Sequence, residues 1–424
     1  MLAFAAVAFA AAKPALANGA FPDEFSIHFP PNAPHRILMG ANFGLLVSED
    51  DGSTWRYSCE PWVVAGSNAA LASENVNFYQ VTADGAVLAD SVNITRSSDV
   101  ACTWPTSGGS VTGQAVDDLF PDPNDATFVV AIVATARGTY LVASHDGGKT
   151  FDATHLYDTS DILTGIEIAR STPGVVYATS APQASGAAKF LASTSSGAPG
   201  TWTVTDLPIS GGTLPRILAV DPADAKKVYL RLLTGPSDAM AVTIDGGQTF
   251  QTVLTIKGQF SSFLRAGDGA IYAGTMDGKL YVRAAAATDP TAFVSLNAPH
   301  LRCLGQRPGT TRIYACADMV VDGFSLASSD DGGATFQPVM TFTHLLGPLT
   351  CPPVQTNCQA HWERIQGVLG IGSGTGPPDA GGGGSSSGSG GSHCASAGID
   401  AWSIWSVLGF LLRSRSTHTV KKPS

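Results

Sequence analysis

Charge is scarce in this chain. Only 14% of its 424 residues are Asp, Glu, Lys or Arg, and 34 acids against 24 cations leave a formal charge of −10. No basic stripe interleaved with aromatics is present, which argues against nucleic acid and anionic membrane surfaces as partners. Cys and His never take a zinc spacing. The acidic turns Ser48 to Gly52 and Ser329 to Gly333 lack the regular alternation and distal glutamate of a calcium loop, so neither a metal nor a cofactor is implied. The repeating part of the chain shows no amphipathic helical pattern. The apolar segment Ala401 to Leu412 would rise about 18 Å as a helix, short of the ~30 Å of bilayer hydrocarbon.

What recurs is a turn closed by an aromatic residue, at intervals of 43 to 51 residues: Trp55, Trp104, Phe151, Trp202, Phe250, Phe293 and Phe336. Four copies read S/T-x-D-x-G-x-T-W/F and carry Asp50 with Gly52, Asp146 with Gly148, Asp245 with Gly247, and Asp331 with Gly333. The second copy keeps Ser97, Asp99 and Trp104 but has Ala101 where the glycine belongs. The aspartate is expected to accept backbone N–H groups one to three residues on, and the glycine to supply a positive φ. Ala101 there would cost roughly 1 kcal/mol. The closing aromatic then anchors one sheet on its neighbour. Upstream, Lys227 to Leu233 and Ala239 to Ile244 flank a Gly-Pro-Ser turn, so each unit supplies about four short strands. Seven such units predict an all-β fold, a single seven-bladed β-propeller of four-stranded blades over residues 18–371.

The turn resembles the Asp-box (BNR) repeat. The fuller phrase, as in Ile271 to Tyr281 or Val129 to Phe151, is similar to propellers of the photosystem II assembly-factor and xyloglucanase type. That resemblance implies fold more than function, because Asp-box propellers include enzymes, receptors and assembly factors. Ligands would be met at a channel mouth, through loops entering the innermost strands, with Gln114, Asp117, Glu167, Arg216, His300 and Arg302 as candidates. For glycoside hydrolysis, a sialidase-like activity would need three arginines beside a tyrosine, and a xyloglucanase-like one a convergent pair of carboxyls; proximity in sequence does not single out that pair from Asp117, Asp118 and Glu167. A non-enzymatic binding or scaffold module and a purely structural envelope component are the other readings.

The ends suggest export. Residues 1–17, an apolar run before Ala15-Leu16-Ala17, read as a signal peptide. Residues 372–393 are a Gly/Ser-rich linker. Residues 394–424, with Cys394, a short hydrophobic helix over 401–412 and trailing arginines, resemble the myxobacterial C-terminal sorting tail (MYXO-CTERM). The resemblance implies Cys394 as the processing or lipidation residue, a sorting protease as partner, and membrane contact through this tail alone. Six further cysteines suit disulfides: Cys303 with Cys316 across a hairpin, Cys351 with Cys358 around a Pro-rich loop, and Cys59 with Cys102 as the remaining pair.

Overall fold

The computed structural model describes residues 24–65, 78–91, 93–208 and 214–371. The expected signal peptide, the linker, Cys394 and the 401–412 helix lie outside these residues. The described chain forms a seven-bladed β-propeller. Five blades are four-stranded antiparallel sheets in chain order, from Ala115 to Thr159, Ile162 to Asp206, Leu214 to Lys257, Phe260 to Asn297 and Leu301 to Met340, and in the first of these Thr150–Phe151 leaves the sheet to pair in parallel with Gly108–Gly109. Blade 1, Glu24 to Cys59, carries a fifth strand. In blade 2, Phe78 to Ser97 gives three strands, and residues 105–107 stand in for the fourth through bonds such as Ser107 N–H to Ile94 O at 2.8 Å. The first strand of each blade packs on the first strand of the next. Leu301–Gln306 returns to Glu24–His28 and completes the ring.

The core is not one mass. Each blade boundary has its own apolar layer, because the middle strands are buried on both faces and their alternate side chains go to opposite neighbours. In Ile37–Ala41, Leu38 enters the layer shared with blade 2, whereas Ile37 and Met39 enter the layer shared with blade 7.

The aspartate turns close the third and fourth strands as expected, with a longer reach. Asp50 Oδ1 accepts the Thr54 N–H at 2.8 Å and Oδ2 accepts the Thr54 hydroxyl at 2.7 Å, four residues on, while Asp146 and Asp245 also accept the N–H groups of Lys149 and Gln248, three residues on. The Ser48 hydroxyl accepts the Gly52 N–H at 2.9 Å. Asp99, Asp146, Asp245 and Asp331 repeat the pattern. Ala101 adopts φ 64°, and its neighbour Val100 φ 60°, so the second blade does hold non-glycine residues in the left-handed region. The turn glycines have a second duty. A Cβ on Gly148, Gly247 or Gly333 would fall within 2.8 Å of Leu88, Phe190 or Leu280 on the preceding blade.

Among the described residues three α-helices accompany the strands, α1 (Glu60–Ala65), α2 (Met319–Asp322) and, after the last strand, α3 (Pro352–Ile365). The third corrects the Pro-rich loop, since Pro352 and Pro353 occupy its first turn, where a missing N–H costs nothing. It also corrects two disulfides. Cys351 caps α3 and Cys358 lies seven residues along it, a rise of about 10 Å that no disulfide spans. The bonds are Cys59–Cys358 and Cys102–Cys351, in place of Cys351–Cys358 and Cys59–Cys102. Cys303–Cys316 joins facing residues within blade 7.

Candidate functional site

The inner strands run from the upper mouth of the channel to the lower one. Third strands run the same way, so the aspartate turns share the lower face, as shown by Gly147 N–H bonding to Thr127 O at 2.8 Å. Six inner strands carry a bulge, with Phe25, Asp117, Thr164, Leu218, Ser261 and Arg302 as the extra residues. Several inner-strand side chains bind the next blade. The Ser261 hydroxyl donates to Leu301 O at 2.6 Å, and the Thr164 hydroxyl to Pro215 O. Asp118 Oδ2 accepts the Ile166 N–H at 3.1 Å, and Glu167 Oε1 accepts the Val220 N–H at 3.0 Å.

These carboxyls are desolvated. Burial pushes Glu167 up to about 8, against the Val220 amide and with the Asp118 charge adding to the rise. Burial raises Asp117 and Asp118 to about 6, with Arg216 opposing both shifts.

Five of the six candidates stand at or just before the starts of inner strands, and Glu167 does not. Gln114 ends the turn before the inner strand of blade 3, its N–H bonded to Val111 O at 3.1 Å. Asp117 lies on blade 3 and feels the Arg216 guanidinium of blade 5 through space. His300 and Arg302 begin blade 7 and are held by its own carboxylates: His300 Nδ1 lies 3.0 Å from Asp322 Oδ1, and Arg302 Nη2 lies 2.9 Å from Asp318 Oδ2. Glu167 is displaced from the expected upper position. It sits near the end of its strand, at the lower mouth.

There it helps line a depression of about 360 Å³ that crosses the inner strands of blades 3 to 6. Phe120, Ile168, Leu218, Val220 and Phe263 form apolar walls. Arg265 is fixed by two 3.1 Å contacts to Asp221. Arg170 stands exposed at the rim and, among the described residues, pairs with no carboxylate. Phe120, Phe263 and Arg170 are not among the sequence candidates. The usable signal is positional: strand exits before turns such as Asp122-Pro123 and Asp221-Pro222 all lead to this mouth.

No protein-family model and no curated protein matches the chain. Solved propellers are similar. The structure of YCF48 bound to D1 peptide is 16% identical over 53% of this chain, with a TM-score of 0.37, and the chain spans 66% of that protein's length. The Niastella koreensis GH74 enzyme is 13% identical over 74% of this chain and 68% of its own, with a TM-score of 0.29. The computationally designed Ika8 protein is 12% identical over 75% of this chain and 87% of its own, with a TM-score of 0.49. Likeness at this level concerns fold alone.

Proposed function

We propose that this chain is an exported propeller, tethered at the cell surface by its C-terminal tail, that binds a protein or glycan ligand at its lower mouth without transforming it. The observation that carries this reading is the depression itself, which joins apolar walls to a rim cation, Arg170, that pairs with no carboxylate among the described residues. An apolar portion of the ligand would seat among Phe120, Leu218 and Phe263, and an acidic group would meet Arg170. Asp118 and Glu167 support the non-enzymatic half of the reading, because each gives an oxygen to a backbone amide of the next blade. Three disulfides suit an oxidising compartment. Among the described residues no helix is long and apolar enough to cross a membrane, and the tether is assigned to Cys394 and residues 401–412, with a sorting protease acting there.

One observation favours a glycoside hydrolase instead. Glu167, raised to about 8, holds a proton at neutral pH, as a general acid must. Screening the full chain against glycan arrays and displayed peptides, beside Arg170→Glu and Phe263→Ser, separates the readings. Ligands that weaken at least tenfold in both variants are the expected result. Ligands held equally by all three proteins, or sugar release that vanishes in Glu167→Gln, would overturn it, and a chain that binds nothing would point to the structural component.

A further inference from the structure

The four strands Glu24 to Cys59 of blade 1 and the four strands Leu301 to Met340 of blade 7 each come from one continuous stretch of chain, so among the described residues no strand is exchanged between them to close the ring. The segment after blade 7 is an addition to that ring. Strand Leu345–Pro348 lies parallel to Trp55–Cys59 on the outer edge of blade 1, with Leu345 opposite Trp55 and Pro348 opposite Tyr57. The Leu349 N–H bonds to Tyr57 O at 2.9 Å, and Arg56 Nη1 to Pro348 O at 3.0 Å. Helix α3 then folds over the same edge. Trp362 packs on the Tyr57 ring at 5.7 Å, and the Tyr57 hydroxyl lies 3.1 Å from His361 Nδ1. Two disulfides fasten this segment, from Cys351 to Cys102 in blade 2 and from Cys358 to Cys59 in blade 1. Their sequence separations of 249 and 299 residues enclose most of the propeller, whereas Cys303–Cys316 encloses 13.

We propose that residues 345–371 are a redox-released latch: reducing Cys102–Cys351 and Cys59–Cys358 frees the segment and bares the outer edge of blade 1. Each S–S bond takes two electrons and two protons from a dithiol, yielding two cysteine thiols while the dithiol closes to its own disulfide. Access sets the order. Cys102 and Cys351 are half-buried, while Cys59 and Cys358 are fully buried, so the first bond opens before the second. Once free, the segment leaves the outer N–H and C=O groups of Trp55–Cys59 without their strand partner.

The test is hydrogen exchange read by mass spectrometry on the full chain before and after dithiothreitol, with alkylation to count opened bonds. Exchange should quicken at least tenfold in residues 345–365 and in Trp55–Cys59 while blades 3 to 6 keep their protection, and alkylation of Cys102 and Cys351 should precede that of Cys59 and Cys358. A Cys303→Ser/Cys316→Ser variant should respond identically. Unchanged exchange in residues 345–365 after both bonds open would overturn the latch, as would simultaneous loss of protection in every blade. A Cys102→Ser/Cys351→Ser variant supplies the half-open state without reductant, and if it does not fold, reduction of the native chain still decides.

Discussion

Glu167 Oε1 accepts the Val220 N–H at 3.0 Å across the boundary between blades 4 and 5. The contact makes a buried carboxyl tolerable. A protonated Glu keeps one oxygen as an acceptor and carries no charge to desolvate, so burial and the nearby Asp118 favour the acid form while the amide is still satisfied.

Stability should therefore fall as pH rises through neutrality. A carboxyl raised from 4.5 to about 8 on folding binds more protons folded than unfolded across that interval. Its stabilising effect is complete below the unfolded value and is lost as pH approaches 8. Asp117 and Asp118, raised to about 6, act in the same direction from 3.8 upward. The aspartate turns oppose this at low pH. Burial would raise Asp146, but hydrogen bonds from Thr150, Ser144 and Lys149 outweigh it and hold the group at about 2, so its contribution is lost as pH falls from 3.8 through that value. Melting temperature should peak between about pH 4 and 6. Glu167→Gln, which keeps an acceptor for Val220, should flatten the slope from pH 6 to 8; an unchanged slope would show that Glu167 does not carry it.

Gly247→Ala should destabilise by about 2–4 kcal/mol, because a Cβ there meets Phe190 at 2.3 Å and φ is 97°. Gly235→Ala is the matched control. Its φ is 93° with nothing within 4 Å, so only the backbone cost of about 1 kcal/mol remains. Denaturant unfolding of both variants isolates the blade-to-blade contact, and equal losses would remove it.

Asp146→Ala should cost about 1–2 kcal/mol, since it strips acceptors from the Lys149 and Thr150 N–H groups and from the Thr150 hydroxyl in one turn. Asp146→Asn should recover part of this through its remaining carbonyl. Chemical denaturation midpoints measure both, and a loss below about 0.5 kcal/mol for alanine would show that water replaces the aspartate.

Periodicity makes the blades legible, because a motif as local as Asp50 to Trp55 determines its own turn. Long-range geometry is not legible in the same way. Cys59 meets Cys358 only because the ring brings the last helix back to the first blade, and no spacing encodes a separation of 299 residues. Pro352-Pro353 reads equally well as a loop or a helix start, which hides α3 and with it the pairing. Glu167 lies at the opposite mouth from the expected one for a related reason: its height in the channel depends on the register Glu167 opposite Tyr177, which pairing fixes and composition does not. The contact of Gly247 with Phe190 is hidden too, since it belongs to two blades at once.

The pair Asp221 and Arg265 joins blades 5 and 6 at the lower mouth, and its two halves should not cost the same. Asp221 is 2% exposed and carries two contacts from Arg265, a bond from the Ala223 N–H at 3.0 Å and the Lys227 ammonium at 3.9 Å. Removing its charge by Asp221→Asn leaves two cations facing a neutral amide in a poorly solvated place, a loss of about 3 kcal/mol. Arg265→Met leaves Asp221 with Lys227 and the Ala223 amide, and the Met side chain replaces part of the arginine stem, so about 1–2 kcal/mol is expected. The double variant should lose less than the sum, by about 1 kcal/mol or more of coupling. Urea unfolding of the four proteins closes the cycle. If Arg265→Met costs as much as Asp221→Asn, Lys227 gives the aspartate no support, and the blade 5 to 6 junction depends on the single guanidinium.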